Sequence, residues 1–159
     1  CGTSTREEVS ITVMLPTGDA TFPEIKLTGK LDRIDFDSNG TAIRVLDYKS
    51  GKPKTKGVIE GTTKDSNGDY KRQLVFYALL LTHCGDERLM TRDCVLSFFE
   101  PNRKGEVVEF PFTISDEEIA ALEAEVVRVA LEIAHGAFLN APCDPTQSSY
   151  CALANQLMR

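Results

Sequence analysis

Apolar and polar residues alternate with a period of two through the first fifty positions, and switch to a helical period further on. Val9–Leu15 reads as a first strand, closed by Pro16-Thr17-Gly18-Asp19. A second strand sets Ile25, Leu27, Gly29 and Leu31 against Lys26, Thr28 and Lys30, and runs on into Asp32-Arg33-Ile34-Asp35. The third, Ala42–Lys49, places Ile43, Val45, Asp47 and Lys49 on one side and Ala42, Arg44, Leu46 and Tyr48 on the other. Its mix of β-branched, aromatic and apolar residues on both sides suits a central strand covered on two faces. Between them, Phe36-Asp37-Ser38-Asn39-Gly40 contains Asn-Gly, a strong short hairpin signal, so the second and third strands are predicted to pair antiparallel.

The later half reads differently. Residues 50–69 are a polar stretch rich in Gly, Lys and Thr, expected to be a long loop of functional or mobile character. Tyr70–Cys84 has helical character, with Leu74, Ala78 and Leu81 as the stripe facing the sheet, and it ends near Gly85. Arg92–Glu100 and Glu106–Thr113 form a second predicted hairpin, interrupted by Pro101-Asn102 and Lys104-Gly105. Ser115-Asp116-Glu117-Glu118 is a capping box opening a long helix with Ile119, Leu122, Val126, Val129 and Ile133 at core spacing, ended by Gly136. A short helix is expected over Ala152–Met158. The order of strands and helices implies an α/β fold.

Composition narrows the class. The 159 residues, 42% of them apolar, suffice for one core and hence a single domain over 1–159. No apolar run reaches the roughly 18 residues that a membrane-spanning helix needs. The start, Cys-Gly-Thr-Ser-Thr-Arg-Glu-Glu, lacks the apolar stretch of a signal peptide, and looks like the cut edge of something longer. Cysteines at 1, 84, 94, 143 and 151 are odd in number and lack framework spacing, which suits a reducing cytoplasm. A net charge of −6 speaks against nucleic acid taken whole, but its distribution does not. From Asp47 to Arg72 seven Lys and Arg face four acids, whereas Ser115 to His135 holds six acids and one Arg, read as a solvated helix face.

The candidate chemistry lies at the end of the third strand. Asp47 and Lys49, two residues apart, put an acid and a base on one face of a largely apolar strand. Burying either alone is costly, so the pair needs each other or a metal; a solvated ion pair of under about 1 kcal/mol would look the same in sequence. Counting back from the turn brings Asp32 to the same end of the hairpin. Two neighbouring carboxylates repel unless a cation lies between them. Oxygen ligands alone favour a hard ion, Mg²⁺ or Mn²⁺, over Zn²⁺. Gln73 and Tyr77 share a helix face just after the basic stretch and could reach a phosphate backbone. As an isolated pair they read more simply as an exposed amide and a half-buried core aromatic.

Gly-x-x-Asp-Arg-Ile-Asp at 29–35, Asp-Tyr-Lys-Ser-Gly at 47–51 and Gln-x-x-x-Tyr at 73–77, in that order, resemble the RecB-like branch of the PD-(D/E)XK nucleases. More narrowly, they are similar to the C-terminal nuclease domain of UvrD-, AddA- or AddB-like helicases. The resemblance covers roughly residues 8 to 158. It implies a restriction-endonuclease-like mixed β-sheet core flanked by α-helices. It also implies a metal-dependent DNA exonuclease acting in repair or recombination on single strands or strand ends delivered by a helicase motor. By that resemblance Asp32, Asp47 and the Tyr48 carbonyl would bind Mg²⁺ (or Mn²⁺). Lys49 would orient or deprotonate the attacking water and offset transition-state charge. Gln73 and Tyr77 would support the site and touch the DNA backbone. Lys52, Lys54, Lys56, Lys71 and Arg72 would supply sequence-independent affinity for the strand. Glu8, ahead of the first strand, matches a family acid only weakly.

Two features depart from the pattern. Relatives commonly carry a metal-ligating His on a helix before the first strand, and the chain starts too late to contain it; His83 and His135 read as structural or exposed. Many relatives end in a four-cysteine iron–sulfur staple. Cys143 and Cys151 lack its spacing even with Cys1 added, which argues against a cluster, and Cys84 and Cys94 read as core residues. The competing reading is a nuclease fold kept as a non-catalytic DNA-binding or scaffold module. An RNA substrate is a third possibility, since backbone contacts carry little base information.

Overall fold

A computed structural model describes residues 3–64, 66–102 and 104–137. Five strands form one sheet in the order β1 (Ser4–Pro16), β2 (Glu24–Phe36), β3 (Ala42–Lys49), β4 (Asp93–Phe98) and β5 (Val108–Thr113). Neighbours are antiparallel except β3 and β4, which run parallel from Val45↔Cys94 to Lys49↔Phe98. A parallel pair needs a crossover, and here helices α1 (Lys56–Glu60) and α2 (Asp69–His83) supply it. Helix α3 (Asp116–Ala134) follows β5 and packs on α2.

The β2–β3 turn forms as its sequence predicts. Gly40 takes φ +77°, and the Asp37 carboxylate accepts from the backbone N–H groups of Asn39 and Thr41, both at 2.9 Å. Alternation along β2 holds through Leu31, with Lys26, Thr28 and Lys30 outward. Leu31 and Ile34 are then both fully buried although three residues apart, so the strand changes phase at Asp32–Arg33. The first strand starts earlier than its sequence pattern suggests. Glu8 therefore lies within β1, with φ +54°, and pairs with Lys30 at 3.0 Å in solvent.

The expected face of β3 needs one correction. Asp35 pairs with Arg44 but Phe36 pairs with Ala42, which leaves Ile43 as the extra residue of a β-bulge. Ala42 therefore enters the core and Ile43 is 42% exposed. Beyond the bulge, Val45 and Asp47 share a buried face as expected, and Asp47 meets Tyr77 of α2 there. The 50–69 stretch is not one long loop either. Thr55 caps α1, Ile59 is fully buried, and Gly61 and Gly68, both at positive φ, approach so closely that a Cβ on Gly61 would lie 2.7 Å from the Gly68 nitrogen. The two glycines pin the segment back on itself.

Helix α2 is the centre of the core. Leu74, Ala78, Leu79, Leu80 and Leu81 are fully buried, because the sheet covers one side of the helix and α3 and α1 cover others. Each buried leucine contributes about 1.5–3 kcal/mol relative to exposure. At Gly29 the helix comes so near that an added Cβ would lie 2.4 Å from Leu80 Cδ1. On α3 the capping box forms as expected, Ser115 with Glu118. Only the first half of its apolar stripe is covered, however: Ile119 is buried, while Val129 and Ile133 are exposed among the described residues. The expected helix over 152–158 lies outside the described residues.

Candidate active site

The carboxyl ends of the parallel strands β3 and β4 lie side by side, the position where open α/β sheets present ligand sites. Helix α2 starts near that end and runs back across the sheet, so its first two turns overhang the end of β3. Asp47 is 1% exposed at this point. Four side chains close a ring there. Tyr77 OH donates to Asp47 Oδ1 at 3.0 Å, and Gln73 Nε2 donates to Tyr77 OH at 2.7 Å. Lys49 Nζ donates to Gln73 Oε1 at 2.6 Å and lies 2.6 Å from Asp47 Oδ2. The ring fixes the orientation of the Gln73 amide, since the lysine needs an acceptor and the phenol already uses its proton on Asp47.

The contact between Lys49 and Asp47 is a buried ion pair. Asp47 Oδ2 meets the Lys49 ammonium, which is shared with Gln73 Oε1. Burial pushes the Asp47 carboxyl above the usual carboxylate range, against the pull of Lys49 and Tyr77, and the charge of Asp32 pushes the same way. Burial and the Asp47 charge likewise push the Tyr77 phenol well up, so it stays a proton donor.

Asp32 sits one step beyond the Arg33↔Leu46 pair, in the register that would set it opposite Asp47. Its Oδ2 accepts from the Tyr48 backbone N–H at 2.8 Å. No group of three or more His, Cys, Asp or Glu side chains is placed to hold a metal among the described residues. The protein's own contribution would therefore be two carboxylates and a backbone carbonyl. That set suits a hard ion that keeps several waters, and the buried Asp47 carboxylate beside Asp32 is negative charge that such an ion would offset.

The other residues singled out in the sequence are placed variously. Lys52, Lys54 and Lys56 are exposed just beyond the site, Lys56 pairing loosely with Glu60 at 3.8 Å. Lys71 is drawn to Glu118 at 2.5 Å, and Arg72 to Asp69 and the Asn67 carbonyl at 3.3 and 3.2 Å. His83 pairs with Glu123 and His135 with Asp19, both away from the ring. Cys94 is fully buried, which raises its thiol to about 12, and Cys84 is half-buried. Cys1, Cys143 and Cys151 lie outside the described residues.

The opposite face of β3 holds a network that the sequence analysis missed. Asp35, 4% exposed, accepts from Arg33 Nε at 2.6 Å and Arg44 Nε at 2.8 Å. Arg33 also donates to Tyr48 OH at 3.3 Å, and the Tyr48 ring stacks on Phe99 with centroids 4.9 Å apart. Period-two spacing puts Arg33 and Asp35 on one face of β2, but Arg44 and Tyr48 come from β3, so the network itself has no local signal.

A family model of the PD-(D/E)XK nuclease superfamily matches residues 3–156. The chain belongs to this superfamily. The mixed five-stranded sheet flanked by helices is its restriction-endonuclease-like α/β fold. Membership implies phosphodiester hydrolysis on nucleic acid, and PD-(D/E)XK nucleases generally use divalent metals. A search of curated proteins found no match. No helix among the described residues is long and apolar enough to cross a membrane.

Proposed function

We propose that this PD-(D/E)XK domain is a RecB-like, Mg²⁺-dependent (or Mn²⁺-dependent) DNA exonuclease. It works as one part of a helicase–nuclease in repair or recombination, on single strands or strand ends that the motor supplies. The observation that carries the reading is Asp47. A buried carboxylate, two residues from a lysine and beside a second carboxylate, has a structural cost that a bound cation would offset. The order of the three motifs supports the RecB-like assignment and, with it, the helicase partner.

In this reading Asp32, Asp47 and the Tyr48 carbonyl hold the ion. When bound, it supplies positive charge at the non-bridging phosphate oxygens and lowers the pKa of water. Lys49, with its side chain 22% exposed, keeps donor capacity toward solvent. It aligns the attacking water and offsets charge that grows on the phosphate. Gln73 holds the ammonium in place through Oε1, and Tyr77 orients Asp47 while fixing the amide. Lys52, Lys54 and Lys56 track the backbone by charge alone. Lys71 and Arg72 join them once the strand competes with Glu118 and Asp69.

The test is cleavage of end-labelled single- and double-stranded DNA with Mg²⁺, Mn²⁺ or a chelator. Mononucleotide release or stepwise shortening from an end, lost with chelator, is the expected result. Absence of metal-dependent cleavage by the wild-type chain, with or without a helicase partner, would overturn it.

A further inference from the structure

Phe99 follows β4 directly and is 61% exposed, with the Tyr48 ring stacked against it at an interplanar angle of 18°. A lone exposed aromatic is ordinary. This one is built in. Its backbone N–H donates to the Lys49 carbonyl at 2.9 Å, which locks it to the strand that carries the proposed catalytic lysine. The ring beneath it is held in turn by Arg33, which Asp35 anchors. The Tyr48 ring is therefore held in place, and Phe99 turns its outer face to solvent. Beside it in the chain, Lys52, Pro53, Pro101 and Asn102 line an open cleft of about 390 Å³, large enough for a nucleotide.

We propose that the Phe99–Tyr48 pair is a stacking platform for an unpaired nucleobase, at the same end of β3 as the Asp47–Lys49 ring but on the opposite face of the sheet, so that a bound strand passes over the sheet end between them. Every base has a π-face, so such a platform favours single strands without reading sequence, and Lys52 takes the adjoining phosphate. A paired base would have to leave its duplex neighbours to stack there, which gives a preference for single strands or frayed ends. That the strand goes on to reach the ring rests on the reading of Asp47 and Lys49 above, whereas the stacking itself does not.

The chain contains no tryptophan, so Phe99→Trp creates a unique fluorophore at the platform. Titrating that variant with single-stranded oligonucleotide in chelator should quench its emission saturably. An abasic strand of equal phosphate count should leave the emission nearly unchanged. Phe99→Ala and Phe99→Leu should each weaken single-strand binding by about tenfold or more, with unchanged circular dichroism. Equal quenching by base-containing and abasic strands, or affinities of both variants within about twofold of wild type, would overturn the platform. The two readings fail separately. Quenching without any metal-dependent cleavage defeats the hydrolytic reading alone. Cleavage by the F99W protein with its tryptophan emission unquenched defeats the platform alone.

Discussion

Asp47 sits where two demands meet. It is buried enough to raise its pKa, yet it is ringed by donors that hold it as a carboxylate. Its folded pKa lies above the unfolded value of 3.8, so its contribution to stability is present below that value and lost as pH rises through the folded one. A divalent ion needs the carboxylate form, so metal affinity should fall at pH values above those that protonate an ordinary aspartate. A pH series of metal titrations checks this, and pH-independent affinity down to the usual carboxylate range would count against it. Tyr77→Phe leaves the ring volume but removes the donor to Asp47 Oδ1 and the acceptor for Gln73. It should cost about 1–3 kcal/mol in urea unfolding and slow cleavage more than it weakens DNA binding. A variant as stable and as fast as wild type would show the ring to be incidental.

At the scale of elements, the site depends on how closely α2 lies on the sheet. Gly29 permits that approach, since a side chain there meets Leu80 and Phe76. Gly29→Val should destabilise by about 1–3 kcal/mol through overpacking. It should also reduce cleavage by displacing Gln73 and Tyr77, measurable as lower turnover at saturating DNA. Elements with strong local signals were legible in the sequence: the Asn39-Gly40 turn, the Ser115–Glu118 box and the alternation of β2 up to Leu31 all stand where their residues put them. Period two put Asp47 and Lys49 on one face of β3 and period four put Gln73 and Tyr77 on one face of α2, but that the two pairs meet was implied by the family resemblance alone. What escaped was set by pairing between strands. The bulge that expels Ile43 exists only relative to β2, and α1 depends on Ile59 finding a core. The buried Asp35–Arg33–Arg44 network depends on side chains brought together from two strands. No local pattern encodes such features.

For the whole molecule, charge is divided between two functions. Asp35 has its pKa raised by burial but lowered further by Arg33 and Arg44, so the net shift is downward. Its contribution is present above the unfolded value and lost as pH falls through the folded one. Asp35→Asn should therefore destabilise at pH 7 by about 1–3 kcal/mol and flatten the acid limb of the stability curve. A pH–stability profile with the same acid limb as wild type would contradict this. The exposed lysines serve the other function. Although the chain carries a net −6, replacing Lys52, Lys54 and Lys56 together by alanine should lower the salt slope of single-strand binding by about 2. An unchanged slope would put the strand elsewhere on the surface.

The central claim is that Asp32 and Asp47 jointly hold a divalent ion beside Lys49. Titration of Mn²⁺ followed by electron paramagnetic resonance tests it most directly, because it detects the ion without requiring turnover. The account predicts a saturable site in the wild-type chain that is abolished in Asp47→Ala, strongly weakened in Asp32→Ala and kept in Asp35→Asn. Wild-type protein that binds no Mn²⁺, or a site indifferent to Asp47→Ala, would contradict it.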